Sequence, residues 1–131
     1  MKRYIPLLAL LLASQLYPQD KANINSLVQY GDKMYKTDDD KPYIGKVFDL
    51  YKSNGKKKVE GYYKDGLRNR KWEWWSEDGK MDSSGTYKDG SKNGKWTFWY
   101  ENGQKEGEGT YKDGRLMDFD TYWDEDGNLL K

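Results

Sequence analysis

Glycines fall at Gly31, Gly55, Gly79, Gly103 and Gly127, each 24 residues after the last. A second series, Gly66, Gly90 and Gly114, keeps the same step, and each member closes a Lys-Asp-Gly tripeptide. Gly61, Gly85, Gly109 and Tyr63, Tyr87, Tyr111 repeat at this interval, as does an aromatic row of Tyr51, Trp75, Trp99 and Trp123. A unit this short cannot bury its own apolar surface, so neighbouring units must stack to make a core. Function then belongs to the surface that stacking creates rather than to one enclosed pocket.

The turns define the unit. Asn54-Gly55, Asp78-Gly79, Asn102-Gly103 and Asp126-Gly127 alternate with Asp65-Gly66, Asp89-Gly90 and Asp113-Gly114. Asn-Gly and Asp-Gly favour two-residue type I′ hairpins, whose central residues both need positive φ. Read so, seven hairpins in succession predict an all-β fold, a single-layer antiparallel β-meander with at least six strands in residues 43–124. The register places Trp96 opposite Gly109, Phe98 opposite Gly107, Trp99 opposite Glu106, Gly85 opposite Gly94 and Ser83 opposite Trp96. Paired residues share a face, so the predicted core face carries Phe48, Leu50, Val59, Tyr63, Trp72, Trp74, Tyr87, Trp96, Phe98, Tyr111 and Tyr122. Gly85 and Gly109 are each expected under a ring of Trp72, Trp96 or a neighbouring Tyr. The other face is polar except for Tyr51, Trp75, Trp99 and Trp123.

Mean hydropathy is −1.18 and charged residues make up 34% of the chain, a balance that signals disorder when aromatics are scarce. Six Trp and twelve Tyr at regular spacing argue for order instead, because such rings bury area while keeping a polar edge wet. Without Cys or His the chain lacks a thiolate, the commonest general base and the commonest zinc ligands. Asp124-Glu-Asp-Gly-Asn128 does not fit a calcium loop, since Tyr122 stands at its first position. No helix is predicted after Gly107-Glu-Gly109, so a phosphate-cradling loop is not expected there. The chain is therefore read as a non-enzyme with no metal and no cofactor.

Lys2 and Arg3 precede an apolar stretch, Ile5 to Ala13, of signal-peptide length. Residues 1–19 are read as a signal peptide, 20–44 as a degenerate first repeat or cap, and 45–131 as the repeat domain. Leu27–Tyr30 and Lys33–Lys36 are placed in a first hairpin, with Asp38 to Pro42 as a loop. Export to the periplasm or the extracellular cell envelope follows, with no specific membrane insertion after processing. Loss of Lys2 and Arg3 tips the net charge from +1 to about −1, which offers no general attraction for nucleic acid.

The segments Asn93 to Gly103 and Gly109 to Gly114, with Lys-Asp-Gly and Gly-Lys-Trp-x-x-Trp-x-Glu-Asn-Gly, resemble the bacterial MORN-repeat variant, as in antitoxin-like proteins of the YwqK family. Lys41 to Tyr51 is similar to the entry to the repeats in those proteins. The resemblance spans residues 27–131 and implies a MORN-like β-repeat fold that serves interaction. The reading is an exported module for protein–protein contact at the cell envelope, with Tyr51, Trp75, Trp99 and Trp123 as the binding residues for a protein partner. One alternative is stacking of an envelope carbohydrate or a quaternary ammonium group on that row. Another is antitoxin or immunity activity, implied by the resemblance alone. The row either binds a partner or only stabilises the sheet.

Overall fold

A computed structural model describes residues 21–131; the expected signal segment, residues 1–19, lies outside the described residues. The strands are β1 (Lys21–Asn23), β2 (Leu27–Tyr30), β3 (Lys33–Lys36), β4 (Gly45–Leu50), β5 (Lys57–Lys64) and β6 (Leu67–Trp75), then β7 (Met81–Lys88), β8 (Ser91–Lys92), β9 (Gly94–Trp99), β10 (Lys105–Lys112) and β11 (Arg115–Tyr122). From β4 onward the chain is an antiparallel meander in sequence order, with β8 and β9 both paired to β7. The one helical element among the described residues is a 3₁₀ turn at Ile24–Ser26. The all-β meander expected from the glycine spacing is the observed fold.

The two turn sets differ in kind. Asp65-Gly66, Asp89-Gly90 and Asp113-Gly114 have positive φ at both residues, as type I′ requires. In the other set only the glycine has positive φ. There Tyr100 N–H donates to the Gln104 carbonyl and Gly103 N–H to the Tyr100 carbonyl, which closes a three-residue loop with Gly103 at its left-handed position. Ser76 to Lys80 and Asp124 to Asn128 repeat this pattern. The first member is one residue longer, because Tyr51 N–H reaches the Lys56 carbonyl and Gly55 N–H the Tyr51 carbonyl. The Asn-Gly and Asp-Gly pairs at 54, 78, 102 and 126 are thus not the two-residue turns expected.

That longer loop reverses the facing of β4. Val47 pairs with Gly61, Phe48 with Glu60 and Asp49 with Val59. A one-residue slip moves a whole strand's side chains to the opposite face. Val47, 1% exposed, holds the core position expected for Phe48, and Leu50 is 43% exposed. Elsewhere the shifts preserve the faces. Ser83 pairs with Phe98, not Trp96, because Asn93 and Gly94 add two residues to the ladder after the Tyr87–Lys92 pair. Trp99 pairs with Lys105, which leaves Glu106 in a bulge, while Trp96 faces Gly109 and Phe98 faces Gly107 as predicted.

The glycines on the core face make room for indoles. A side chain on Gly61 would collide with the Trp72 ring, and one on Gly85 with the Trp96 ring. Each ring leans over the glycine of the preceding strand, and its indole N–H is satisfied by backbone, Trp72 Nε1 by the Tyr62 and Asn69 carbonyls and Trp96 Nε1 by that of Thr86. Gly109 breaks the series. Asp120 stands where the next Trp would be, so Gly109 lies under Leu116, whose Cδ1 is 2.8 Å from the position a Cβ would take, and not under Trp72 or Trp96.

The N-terminal residues cover one end of this face. The β2–β3 hairpin forms as expected and brings Leu27 and Met34 against Tyr43, Val47, Val59, Tyr63 and Trp72. β1, not foreseen from the sequence, runs parallel to β4 with Ala22 opposite Val47 and so covers the sheet's first edge.

Candidate functional site

The aromatic row lies on the polar face, at one end of the strands. Trp72 and Trp74 share the core face, so Trp75, next along β6, points the other way. Trp99 stands in the same relation to Trp96 and Phe98. Lys105 lies over the Trp123 ring (5.9 Å) and pairs with Glu108 (2.7 Å), itself bound to Lys95 (2.8 Å). Two repeat units earlier, Lys57 lies over Trp75 (5.5 Å) and pairs with Glu60 (3.1 Å). Hydrogen bonds from Lys105 and then Lys95 hold the Glu108 carboxyl below its usual range, and Glu108 in turn pushes Lys95 up.

The middle of the row departs from this pattern. Met81 stands where Lys57 and Lys105 stand, and it pairs directly with Trp75. Ser84 replaces the Glu60 and Glu108 carboxylates. Trp75, Met81 and Trp99, on neighbouring strands and all half-buried, therefore form an apolar strip that Lys57 caps at its Trp75 end.

Tyr51 is not aligned with that row. The extra residue in its loop gives it the part that Tyr100 plays two units later: Tyr51 hydroxyl donates to the Trp75 carbonyl (2.6 Å), and Tyr100 hydroxyl to that of Trp123 (2.9 Å). Leu50 takes the place in the ladder that the repeat assigns to Tyr51. Lys58 lies over the Tyr51 ring at 5.6 Å. The structure thus brings Trp75, Trp99 and Trp123 together in the row and puts Tyr51 in the loop stack beside it.

A second surface was not foreseen. At the β11 end the core face opens into a cleft of ≈ 580 Å³ lined by Phe98, Tyr100, Tyr111, Phe119, Tyr122 and Leu130, with Glu106, Asp118 and Trp123 at its border. Phe119 is 39% and Tyr122 36% exposed, against 0% for Trp72. Burial, and then the carboxylates of Glu106, Glu125 and Asp124, push the Tyr100 hydroxyl up. The sequence carried a signal for this opening, since Asp120 replaces Trp72 and Trp96, and Leu116 replaces Arg68 and Lys92.

Residues 71–89 and 92–113 match the MORN repeat variant. The segments run from β6 to β10 and break at the Asp89-Gly90 turn, so the matched units are the two that carry the Trp72 and Trp96 cores. MORN repeats commonly mediate contacts with proteins, membranes or ligands. No curated protein and no solved structure matches the chain.

Proposed function

We propose that the mature chain is a non-enzymatic interaction module, exported to the cell envelope, which takes up a partner protein on its polar face through Trp75, Met81 and Trp99. The observation that carries this reading is the apolar strip itself. Around it the face carries mainly charged and hydroxyl side chains, with Phe48 and Leu50 of the reversed β4 beyond it, and among the described residues neither Trp75 nor Trp99 makes a ring–ring contact with the core. Large aromatics near the middle of a surface are the residues on which interfaces concentrate their energy. Trp123 and Tyr51 flank the strip, one beneath Lys105 and the other tied to the Trp75 carbonyl.

The test is capture of a partner from envelope extract by the full chain and by a Trp75→Ala, Trp99→Ala double variant. The wild type is expected to retain a defined protein band and the double variant to lose it, with circular dichroism and melting point nearly unchanged. A double variant that unfolds makes the strip structural. One that folds and still captures the partner moves the interface elsewhere. Capture that survives protease treatment of the extract assigns the strip to an envelope glycan instead.

A further inference from the structure

We infer that the Phe119–Tyr122 end of the sheet binds an organic cation, a quaternary or primary ammonium group supplied from outside the described fold. This site is on the face opposite the tryptophan strip and is independent of it.

The repeat places its own cation over a core-face ring pair twice and then omits it. Two units set a pair of rings on the core face, Trp72 with Trp74 (5.7 Å) and Trp96 with Phe98 (6.2 Å); in the last unit Asp120 takes the first of these positions, and Phe119, at the place of Lys71 and Lys95, packs against Tyr122 (6.1 Å) instead. Over the first pair the chain places its own cation, the Arg68 guanidinium, 4.7 and 5.9 Å from the two rings. Over the second it places the Lys92 ammonium, at 4.6 and 5.5 Å. Both cations come from the residue opposite the repeat tyrosine, in the pairs Tyr63–Arg68 and Tyr87–Lys92. The third such pair is Tyr111–Leu116. Leu116 folds down on Gly109 in place of the missing indole, and among the described residues no cation lies over Phe119 or Tyr122.

The surroundings suit a positive ligand. Tyr111 already has Lys92 over it at 5.0 Å, so the open pair is Phe119 and Tyr122. Glu106, Asp118 and Lys131 all line the cleft; Lys131 takes up the Asp118 carboxylate at 3.5 Å, so Glu106 is the lining carboxylate without an ion pair among the described residues. Ring faces attract ammonium groups through their quadrupole, and a partly enclosed site strengthens that attraction. The shared chemistry admits two sources, a free quaternary ammonium compound or a lysine on a peptide.

The experiment is a titration of the full chain, followed by NMR of the Phe119 and Tyr122 ring signals. Its probes are choline, the uncharged carbon isostere dimethylbutanol, and a short lysine peptide. Choline or the lysine peptide should shift those signals saturably, and whichever binds more tightly identifies the source. The isostere should bind at least about tenfold more weakly. Leu116→Lys supplies the cation that Arg68 and Lys92 supply in the other units and should weaken choline binding by a similar factor, whereas Leu116→Gln should leave it within about twofold. Equal binding of choline and its isostere would overturn the proposal and leave an apolar docking cleft. So would ring signals that no cation moves, or a folded Leu116→Lys variant that binds choline as the wild type does. Should Leu116→Lys fail to fold, the comparison of choline with its isostere decides alone.

Discussion

The two ends of this sheet begin from the same 24-residue unit and finish differently. At the β4 end a hairpin closes over the core face, a parallel strand covers the edge, and Trp72 is wholly buried among Leu27, Tyr43, Val47 and Tyr63. At the β11 end the rings on this face, Phe119 and Tyr122, stay more than a third exposed. The difference rests on few residues. Asp120 in place of Trp72 or Trp96 removes the indole that covers a glycine, Leu116 takes its place, and among the described residues no hairpin like β2–β3 closes over this end. A repeat fixes the interior of a stack, but its terminal units are set by departures from the repeat.

The sharpest way to break this comparison is to empty the two ends in turn. Trp72→Ala should cost about 3–5 kcal/mol, as for other buried large-to-small changes. Phe119→Ala should cost less than about 2 kcal/mol, since much of its ring never leaves water. Urea denaturation of the two variants measures both, and equal losses would mean that the ends are equally packed. Filling the glycines probes the same contrast. Gly85→Ala drives a methyl into the Trp96 ring and should cost roughly 1–3 kcal/mol. Gly109→Ala meets mainly the tip of Leu116, which rotates away, so its cost should stay near or below about 1 kcal/mol.

What the sequence concealed follows from these residues. Strand number, the turns at Asp65-Gly66, Asp89-Gly90 and Asp113-Gly114 and the burial of Trp72 and Trp96 were all readable from spacing. The facing of β4 was not, because one extra residue between Tyr51 and Lys56 leaves the glycine interval intact while reversing a strand. Tyr51 kept its sequence interval with Trp75 and lost its structural one for the same reason. The cleft was masked because Asp120 and Leu116 acquire meaning only when set against Trp96 and Lys92 in three dimensions.

Smaller effects sharpen the picture along the loop edge. Tyr51→Phe removes the hydroxyl bond to the Trp75 carbonyl and should cost about 0.5–1.5 kcal/mol by thermal melt. Asn102→Ala removes the amide bond to the Glu125 carbonyl and should cost a similar or smaller amount. No measurable loss in either would make the loop stack a consequence of the sheet rather than a support for it.

The smallest expected effect is in acid. The Glu108 carboxyl is held below its ordinary value of 4.5 by Lys105 and Lys95. A carboxylate depressed on folding stabilises above its unfolded value, and that contribution disappears as pH falls through the folded value. Melting temperature should therefore drop on the acid side of pH 4.5, and Glu108→Gln should flatten that limb. An unchanged acid limb in the variant would show that the lysine cluster on the polar face contributes no stability.

The Asp-Gly turns have a further consequence. Gly66 N–H is accepted by the Tyr43 carbonyl, Gly90 N–H by that of Arg68 and Gly114 N–H by that of Lys92. Every unit is thus fastened to its predecessor by the same donor and leaves the same acceptor for its successor. Length becomes a free variable: an in-frame copy of residues 91–114 inserts between existing joints without a new kind of contact. The cap at β1 would stay where it is, while the open cleft would travel outward with the last unit, so a chain built this way sets the distance between its closed and exposed ends by counting.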